Sequence, residues 1–503
     1  MTDSRTATGL DREILVLGGV VILGMILAIL DATIVNVAIP TLGRDFHTSI
    51  STIQWVMTAY LLAFASAIPF TGWATGELGA KRLWMGSLVL FLTGSVLSGS
   101  AWSIESLIAF RVVQGAGAGL IMPVGQTILA QAAGPQRIGR VMSVVGVPML
   151  LAPIFGPVIG GAIVEAISWR WIFFVNLPVG LVAIGLAWRL LPKAGSRPGQ
   201  HLDLRGLALL SPGLALFIYG MSEAANAGGF GDERTLTGIV LGLVLVALFA
   251  WHAMRRGGTA LLDVSLFARR GFATAAATNL LLGIALFGAL ILLPLYYQIV
   301  RGESPLATGL LLVPQGVGAA LAMPIAGRLT DEIGARIVVP AGILVALAGT
   351  GAYTQVGAET SYPLLAGSLF VIGLGLGSTI MPSMAVAYQA VAPEAFPNAT
   401  SAINIIQRVA GSVGTALLAV VLQRSISAKA AGLDGGIGAL AGLPAGARAQ
   451  AAPALAEAFG TAFWVALALV AVALVPALLL PRLRPRGEQA APPAPEAAPR
   501  GSS

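Results

Sequence analysis

The sequence predicts an all-α polytopic membrane protein with fourteen transmembrane helices. Three observations carry that reading. Of 503 residues, 56% are hydrophobic and only 10% charged, with a mean hydropathy of +0.87, whereas soluble domains carry about a quarter charged residues. The apolar runs are about 20 residues long, the length that crosses a bilayer core, and they lack the two-residue alternation of barrel strands. Short basic clusters recur in every second loop, as the positive-inside rule requires.

In chain order the spans are expected near 14–39, 51–71, 83–101, 103–128, 141–164, 170–191, 204–222, 235–254, 272–298, 306–326, 337–356, 362–390, 399–423 and 457–480. Fourteen spans leave about 15 residues for each loop or tail, so no large soluble catalytic domain fits. The first apolar run is too long for a cleavable signal and lacks a small-residue cleavage site, so it is expected to stay as the first helix. The stretch 424–456, rich in Ala and Gly, reads as an external spacer, and 481–503, rich in Pro, Ala and Arg, as a disordered tail.

An even number of spans puts both termini on one side. That side collects twenty Lys and Arg; the other holds seven, Arg44, Arg170, Arg234, Arg301, Arg424, Lys429 and Arg448, and Arg111 and Arg408 remain inside the bilayer. Both termini are therefore expected in the cytoplasm. This distribution explains the net charge of +7 without nucleic acid. With no cysteine, thiolate chemistry and Cys-ligated metal are excluded, and His47, His201 and His252 are too scattered for a metal site. No G-x-x-x-x-G-K-[ST] phosphate loop occurs, so energy is expected from an ion gradient, with protons as the coupling ion and no cofactor.

Two loops look alike. Gly72-Trp-Ala-Thr-Gly-Glu77-Leu-Gly79-Ala-Lys81 follows the second span, and Gly327-Arg-Leu-Thr-Asp331-Glu-Ile-Gly334-Ala-Arg336 follows the tenth. The shared spacing makes the chain six spans, two inserted spans and six more, a duplicated unit. The domain expectation is a cytoplasmic N-terminus (1–13), a first half (14–191), a linker with the two extra spans (192–254), a second half (255–480) and the tail (481–503).

With Leu107-Ile-Ala-Phe-Arg111-Val-Val-Gln114-Gly-Ala-Gly-Ala-Gly119 in span 4 and Ala152-Pro-Ile-Phe-Gly156-Pro157-Val-Ile-Gly160-Gly161 in span 5, these loops resemble the major facilitator superfamily. Leu30-Asp31-Ala-Thr-Ile-Val-Asn36 in span 1 and Trp169-Arg-Trp-Ile-Phe-Phe-Val-Asn176-Leu-Pro178 entering span 6 are similar to its fourteen-span drug:proton antiporters of the EmrB/QacA type. The resemblance covers about 14–480. It implies two six-helix halves plus two inserted helices, an antiporter motif at Gly156, Pro157, Gly160 and Gly161, and cytoplasmic gating loops at Gly72, Glu77, Gly79, Lys81, Gly327, Asp331, Gly334 and Arg336. Gly76 departs from the pattern by replacing the usual Asp, and Ala152 stands where Gly is common.

Asp31 lies inside an apolar helix, where an ionised carboxylate is expensive and a protonated one tolerable. Counting 1.5 Å per residue puts Asp31 about 13 Å and Arg111 about 12 Å below the outer boundary, so Arg111 is its natural partner. Movement that separates the two changes the carboxylate's hold on a proton, which links conformation to protonation. A static ion pair is the competing reading, and for Asp31 itself a structural tie between helices. Gly156 and Gly160 share one helical face, allowing close contact, while Pro157 and Pro153 remove hydrogen-bond donors and favour bending. Gln54, Trp55, Tyr60, Gln114, Asn279, Gln298, Gln315 and Arg408 are candidates for a substrate cavity with apolar neighbours such as Phe64 and Met122; each is equally an interhelical contact.

The expected function is proton-coupled export of lipophilic drugs or related small molecules by alternating access, not enzymatic turnover. The alternatives are a dedicated exporter of one endogenous natural product and, remotely, a membrane-embedded enzyme or receptor, for which no convergent catalytic group is visible. The expected partners are lipophilic small molecules and the bilayer; a monomer is one option for the oligomeric state, which the sequence leaves open together with accessory efflux subunits. The expected location is the cell membrane, multi-pass with both termini cytoplasmic; the Ala, Gly and Arg bias is compatible with a high-GC bacterium. The two inserted spans carry no motif that assigns them a task beyond filling space beside the bundle.

Overall fold

A computed structural model describes residues 12–192, 199, 201–429 and 445–481, a bundle whose described secondary structure is helical throughout. The first half comprises α1 (Arg12–Asp45), α2 (Ile50–Ala67, continuing through a 3-10 turn into Thr71–Leu78), α3 (Ala80–Gly99), a 63-residue helical run Ile104–Ala166 and α6 (Trp171–Leu190). Gly134, at φ 66°, breaks the long run into α4 (Ile104–Gly134) and α5 (135–166). The inserted pair is α7 (Leu204–Ala227) and α8 (Glu233–Arg256). The second half is α9 (Arg270–Val300), α10 (Pro305–Ile333), α11 (Ala335–Tyr353), α12 (Tyr362–Gln389), α13 (Phe396–Lys429) and α14 (Ala445–Leu478). Thirteen described helices are long and apolar enough to cross a membrane; α5, helical over 135–166, has the length of a fourteenth. Helices satisfy every backbone group internally, which a bilayer demands.

Several helices run past their expected ends. The external stretch 424–456 is helical up to Lys429 and again from Ala445, because Ala-rich sequence propagates a helix once a packed span nucleates it. The expectations for the spacer's middle (430–444), the N-terminus (1–11) and the tail from 482 lie outside the described residues. Helix ends are tied locally: Ser103 and Ser106 form a reciprocal capping box on α4, and Asp203 caps α7 through the Gly206 amide.

Without a hydrophobic drive between helices in lipid, close packing of small residues holds such bundles together. Gly115 and Gly119 of α4 face the backbone carbonyls of Tyr60 and Phe64 on α2, where any Cβ would overlap. Gly373 and Gly377 of α12 face those of Gln315 and Ala319 on α10 in the same way. The loop glycines obey the same correspondence. Gly79 (φ 81°, ψ 144°) and Gly334 (φ 92°, ψ 147°) break their helices with one backbone shape, a positive φ that L side chains resist. Tyr60 to Gln315 and Gly79 to Gly334 are both displacements of 255 positions, so the duplicated unit seen in sequence is a structural repeat.

The halves meet on the side where α2 and α4 end and α13 begins. Ser401 donates to the Ile68 carbonyl at 3.0 Å, the Asn404 amide donates to Gln126 at 2.7 Å, and Gly72 lies against Asn398. The inserted pair does more than fill space. Ser66 and Ser211 exchange hydroxyl-to-carbonyl bonds between α2 and α7, Trp55 stacks on Tyr219, and the outer end of α7 lies against Gln423 of α13. Helix α7 thus touches both halves, whereas α8 turns Val240, Leu241, Val244 and Leu248 outward.

Candidate functional site

Asp31 is fully buried, and so is Arg111. Arg111 Nη1 donates to Asp31 Oδ2 at 2.5 Å and to Gln114 Oε1 at 2.7 Å, and its Nε donates to the Val56 carbonyl at 3.2 Å. Asp31 Oδ1 accepts from the Gln114 amide at 2.7 Å and from the Asn176 amide at 3.1 Å. Asn176 also donates to Ser95, and Ser95 to the Phe173 carbonyl. The Tyr60 ring lies 3.9 Å beneath the guanidinium, with its hydroxyl donating to the Ala28 carbonyl. The carboxylate of α1 is thus held directly by α4 and α6, whose groups are in turn fixed by α2 and α3.

Helix α5 completes the ring. Gly156 packs on Thr33 and the Ile34 amide, and Gly160 on Ile34, two and three residues beyond Asp31. Gly161 is looser, near Val37; the side chain of Pro157 lies outside the described residues. Packing this close leaves little slack between α5 and α1 beside the carboxylate.

Charged groups in a low dielectric are costly unless paired and hydrogen-bonded, and removing one partner typically costs about 3–5 kcal/mol. The Asp31 carboxylate meets this condition. Arg111 Nη2 is buried without a partner among the described residues, one donor left over in the core. The second half builds no counterpart: the repeat places Leu369 where Arg111 stands, by the spacing of Gly115 to Gly373.

The proposed cavity residues separate. Tyr60 and Gln114 belong to the carboxylate network, because Gln114 stands one turn from Arg111 on the same helical face. Asn279 is buried and donates to its own helix at Ala275. Trp55 and Gln54 are exposed at the outer end of α2, with Trp55 taken up by the inserted pair. Gln298 lies in a π-helical turn and Gln315 in α10, both half-buried. Arg408 is half-buried about a third of the way along α13, its guanidinium 3.9 Å over the Phe64 ring of the other half. Ser95, and the carbonyls of Val56 and Phe173, escaped the sequence reading; a serine in an apolar helix gives little signal, and backbone acceptors give none.

In the loops, Lys81 Nζ donates to the carbonyls of Trp188 and Leu191 at 2.7 and 2.6 Å, capping the end of α6. Glu77 accepts from the Gly199 amide at 3.0 Å. Gly327 is buried, Asp331 half-buried and Arg336 exposed. Outside the membrane, Asp203 accepts from the amides of Gly206 and Leu261 and pairs with His252 and Arg256, tying both ends of the inserted pair together.

The profile of the Major Facilitator Superfamily matches residues 21–415. The chain is 43% identical over 415 residues to the Multidrug resistance protein B homolog of Mycobacterium tuberculosis, covering 82% of this chain and 77% of the relative. It is 34% identical to the Multidrug export protein EmrB of Haemophilus influenzae, covering 78% of each, and 33% identical to the Puromycin resistance protein pur8 of Streptomyces alboniger, covering 80% of each. Among solved structures, the proton:xylose symporter XylE aligns with a TM-score of 0.58 at 14% identity, over 92% of this chain and 94% of that one. The human organic anion transporter MFSD10 aligns at 0.58 and 16%, over 92% and 100%. At such identities these two establish the fold alone.

Proposed function

The chain belongs to the major facilitator superfamily, and from that premise we propose that it exports lipophilic small molecules in exchange for protons, by alternating access between its two halves. The observation that carries the proposal is the Asp31 carboxylate, the one acid in the middle of any span, buried against Arg111 at 2.5 Å. Embedded acids of this kind mark ion pathways. The relatives' names, multidrug export and multidrug and puromycin resistance, support outward transport of foreign compounds.

In the proposed cycle Asp31 takes and releases the proton, and Arg111 makes that occupancy depend on conformation. When the halves rock, the α5 glycine seam moves α1 at Thr33 and Ile34 and alters the geometry of the pair. A protonated Asp31 no longer attracts Arg111 as an ion, so protonation and rocking bias each other. The contacts of Ser401 with Ile68 and of Asn404 with Gln126 are the cytoplasmic closure, which must part for cargo to enter from inside. The chain performs no chemistry on its cargo and uses no cofactor.

The test is transport into proteoliposomes under an imposed pH gradient, with a panel of labelled lipophilic compounds. Accumulation that collapses when the gradient is dissipated is expected; accumulation that persists unchanged rules out proton coupling.

A further inference from the structure

We propose that Arg408 is the anion-recognising residue of the translocation pathway, so that favoured cargo carries an acidic group, a carboxylate or sulfonate, on its lipophilic body. This names a substrate class for the exporter reading and rests on it.

The middles of the spans hold one acid, Asp31, and two arginines, Arg111 and Arg408. Asp31 is already committed: its two oxygens accept from Arg111, Gln114 and Asn176. Among the described residues Arg408 has neither a hydrogen bond nor an ion pair; its guanidinium lies 3.9 Å over the Phe64 ring, with the Tyr60 phenol near enough to interact electrostatically. A guanidinium without a counter-charge at that depth is costly.

Its position answers the question of access. Arg408 lies twelve residues beyond Phe396 where α13 begins, about 18 Å along the axis, so it is far from both membrane surfaces. Its guanidinium sits on Phe64, a buried residue of the opposite half, and yet the side chain is only half-buried. We place the exposed part of the side chain in the space between the halves, the side on which Phe64 lies. The buried Phe64 ring holds the guanidinium in place from one side, and a planar fork without a counter-charge suits an acidic end of a lipophilic body, because it can take two oxygens at once. The two halves would then divide the work, with the proton held in the first and the acidic cargo on the second.

An anionic phospholipid headgroup offers the same chemistry, and the test separates it from cargo. The full-length protein is reconstituted in phosphatidylcholine nanodiscs, with or without phosphatidylglycerol. Binding is measured for three pyrene probes of one body: pyrenebutanoate, pyrenebutanol and pyrenebutyltrimethylammonium. The carboxylate is expected to bind about tenfold tighter or more than the other two, the scale of one charge-assisted hydrogen bond. Arg408→Gln should bring it down to their level. Arg408→Lys, which keeps the charge and loses the fork, should retain part of the preference and serves as the reading if the glutamine variant fails to fold. Equal affinities, a preference for the cation, or a carboxylate preference that survives Arg408→Gln overturns the proposal; displacement by phosphatidylglycerol assigns the site to lipid and overturns it as well. Accumulation of any of the three probes under a pH gradient reports on the exporter reading separately, so either can fail while the other stands.

Discussion

Arg111 holds Asp31 at 2.5 Å with both side chains sealed from solvent, and the same guanidinium rests 3.9 Å over Tyr60. The pair joins α4 to α1 at the point where α5 presses on α1. If the pair is dynamic, Arg111→Ala changes the pH dependence of substrate binding. A titration of binding against pH in wild type and variant checks this, and coincident profiles would mark the pair as static packing.

The α5 seam gives a second prediction. A Cβ on Gly156 would overlap Thr33, and one on Gly160 would overlap Ile34. Gly156→Val and Gly160→Val should each destabilise the protein by about 1–3 kcal/mol, the usual cost of overpacking, and should reduce transport more than stability. Gly161→Ala, at a looser point of the same helix, is the control and should behave as wild type in both assays.

The repeated loops predict matched losses. Gly79→Ala and Gly334→Ala each place a side chain at positive φ and should cost about 1 kcal/mol or more apiece. Thermal unfolding followed by intrinsic fluorescence would show two shifts of similar size; a shift in only one variant would mean that the two breaks are not equivalent.

Asp203 supplies the pH prediction. Burial alone would raise its carboxyl, but the Gly206 amide, His252 and the Leu261 amide outweigh burial and hold it below the ordinary carboxylate value. An acid lowered in the folded state contributes stability that is present above its unfolded value, about 4, and lost as pH falls through the folded one. Asp203→Asn should therefore cost about 1–2 kcal/mol at pH 7, and the gap in melting temperature should narrow below about pH 4. A gap that stays constant with pH would place the effect in packing rather than charge.

Much of this was legible in the sequence, for reasons that particular residues show. Apolar length fixed the spans, and the spacing of Gly79 and Gly334 announced the repeat because only glycine takes that backbone shape. Equal depth along two antiparallel helices was enough to pair Asp31 with Arg111. What stayed hidden were contacts set by helix rotation and by backbone acceptors. Gln114 and Tyr60 read as cavity groups, and rotation turned both into the network. The bridging position of α7 left no trace, since Ser66 and Ser211 bond through each other's carbonyls and a serine hydroxyl in an apolar helix is unremarkable.

The central claim is that the proton resides on Asp31. The most direct measurement is gradient-driven accumulation of a transported lipophilic compound by Asp31→Asn in proteoliposomes, beside wild type at equal protein and with thermal melting recorded. The account predicts accumulation at background with the variant still folded; accumulation at the wild-type rate from folded Asp31→Asn would contradict it.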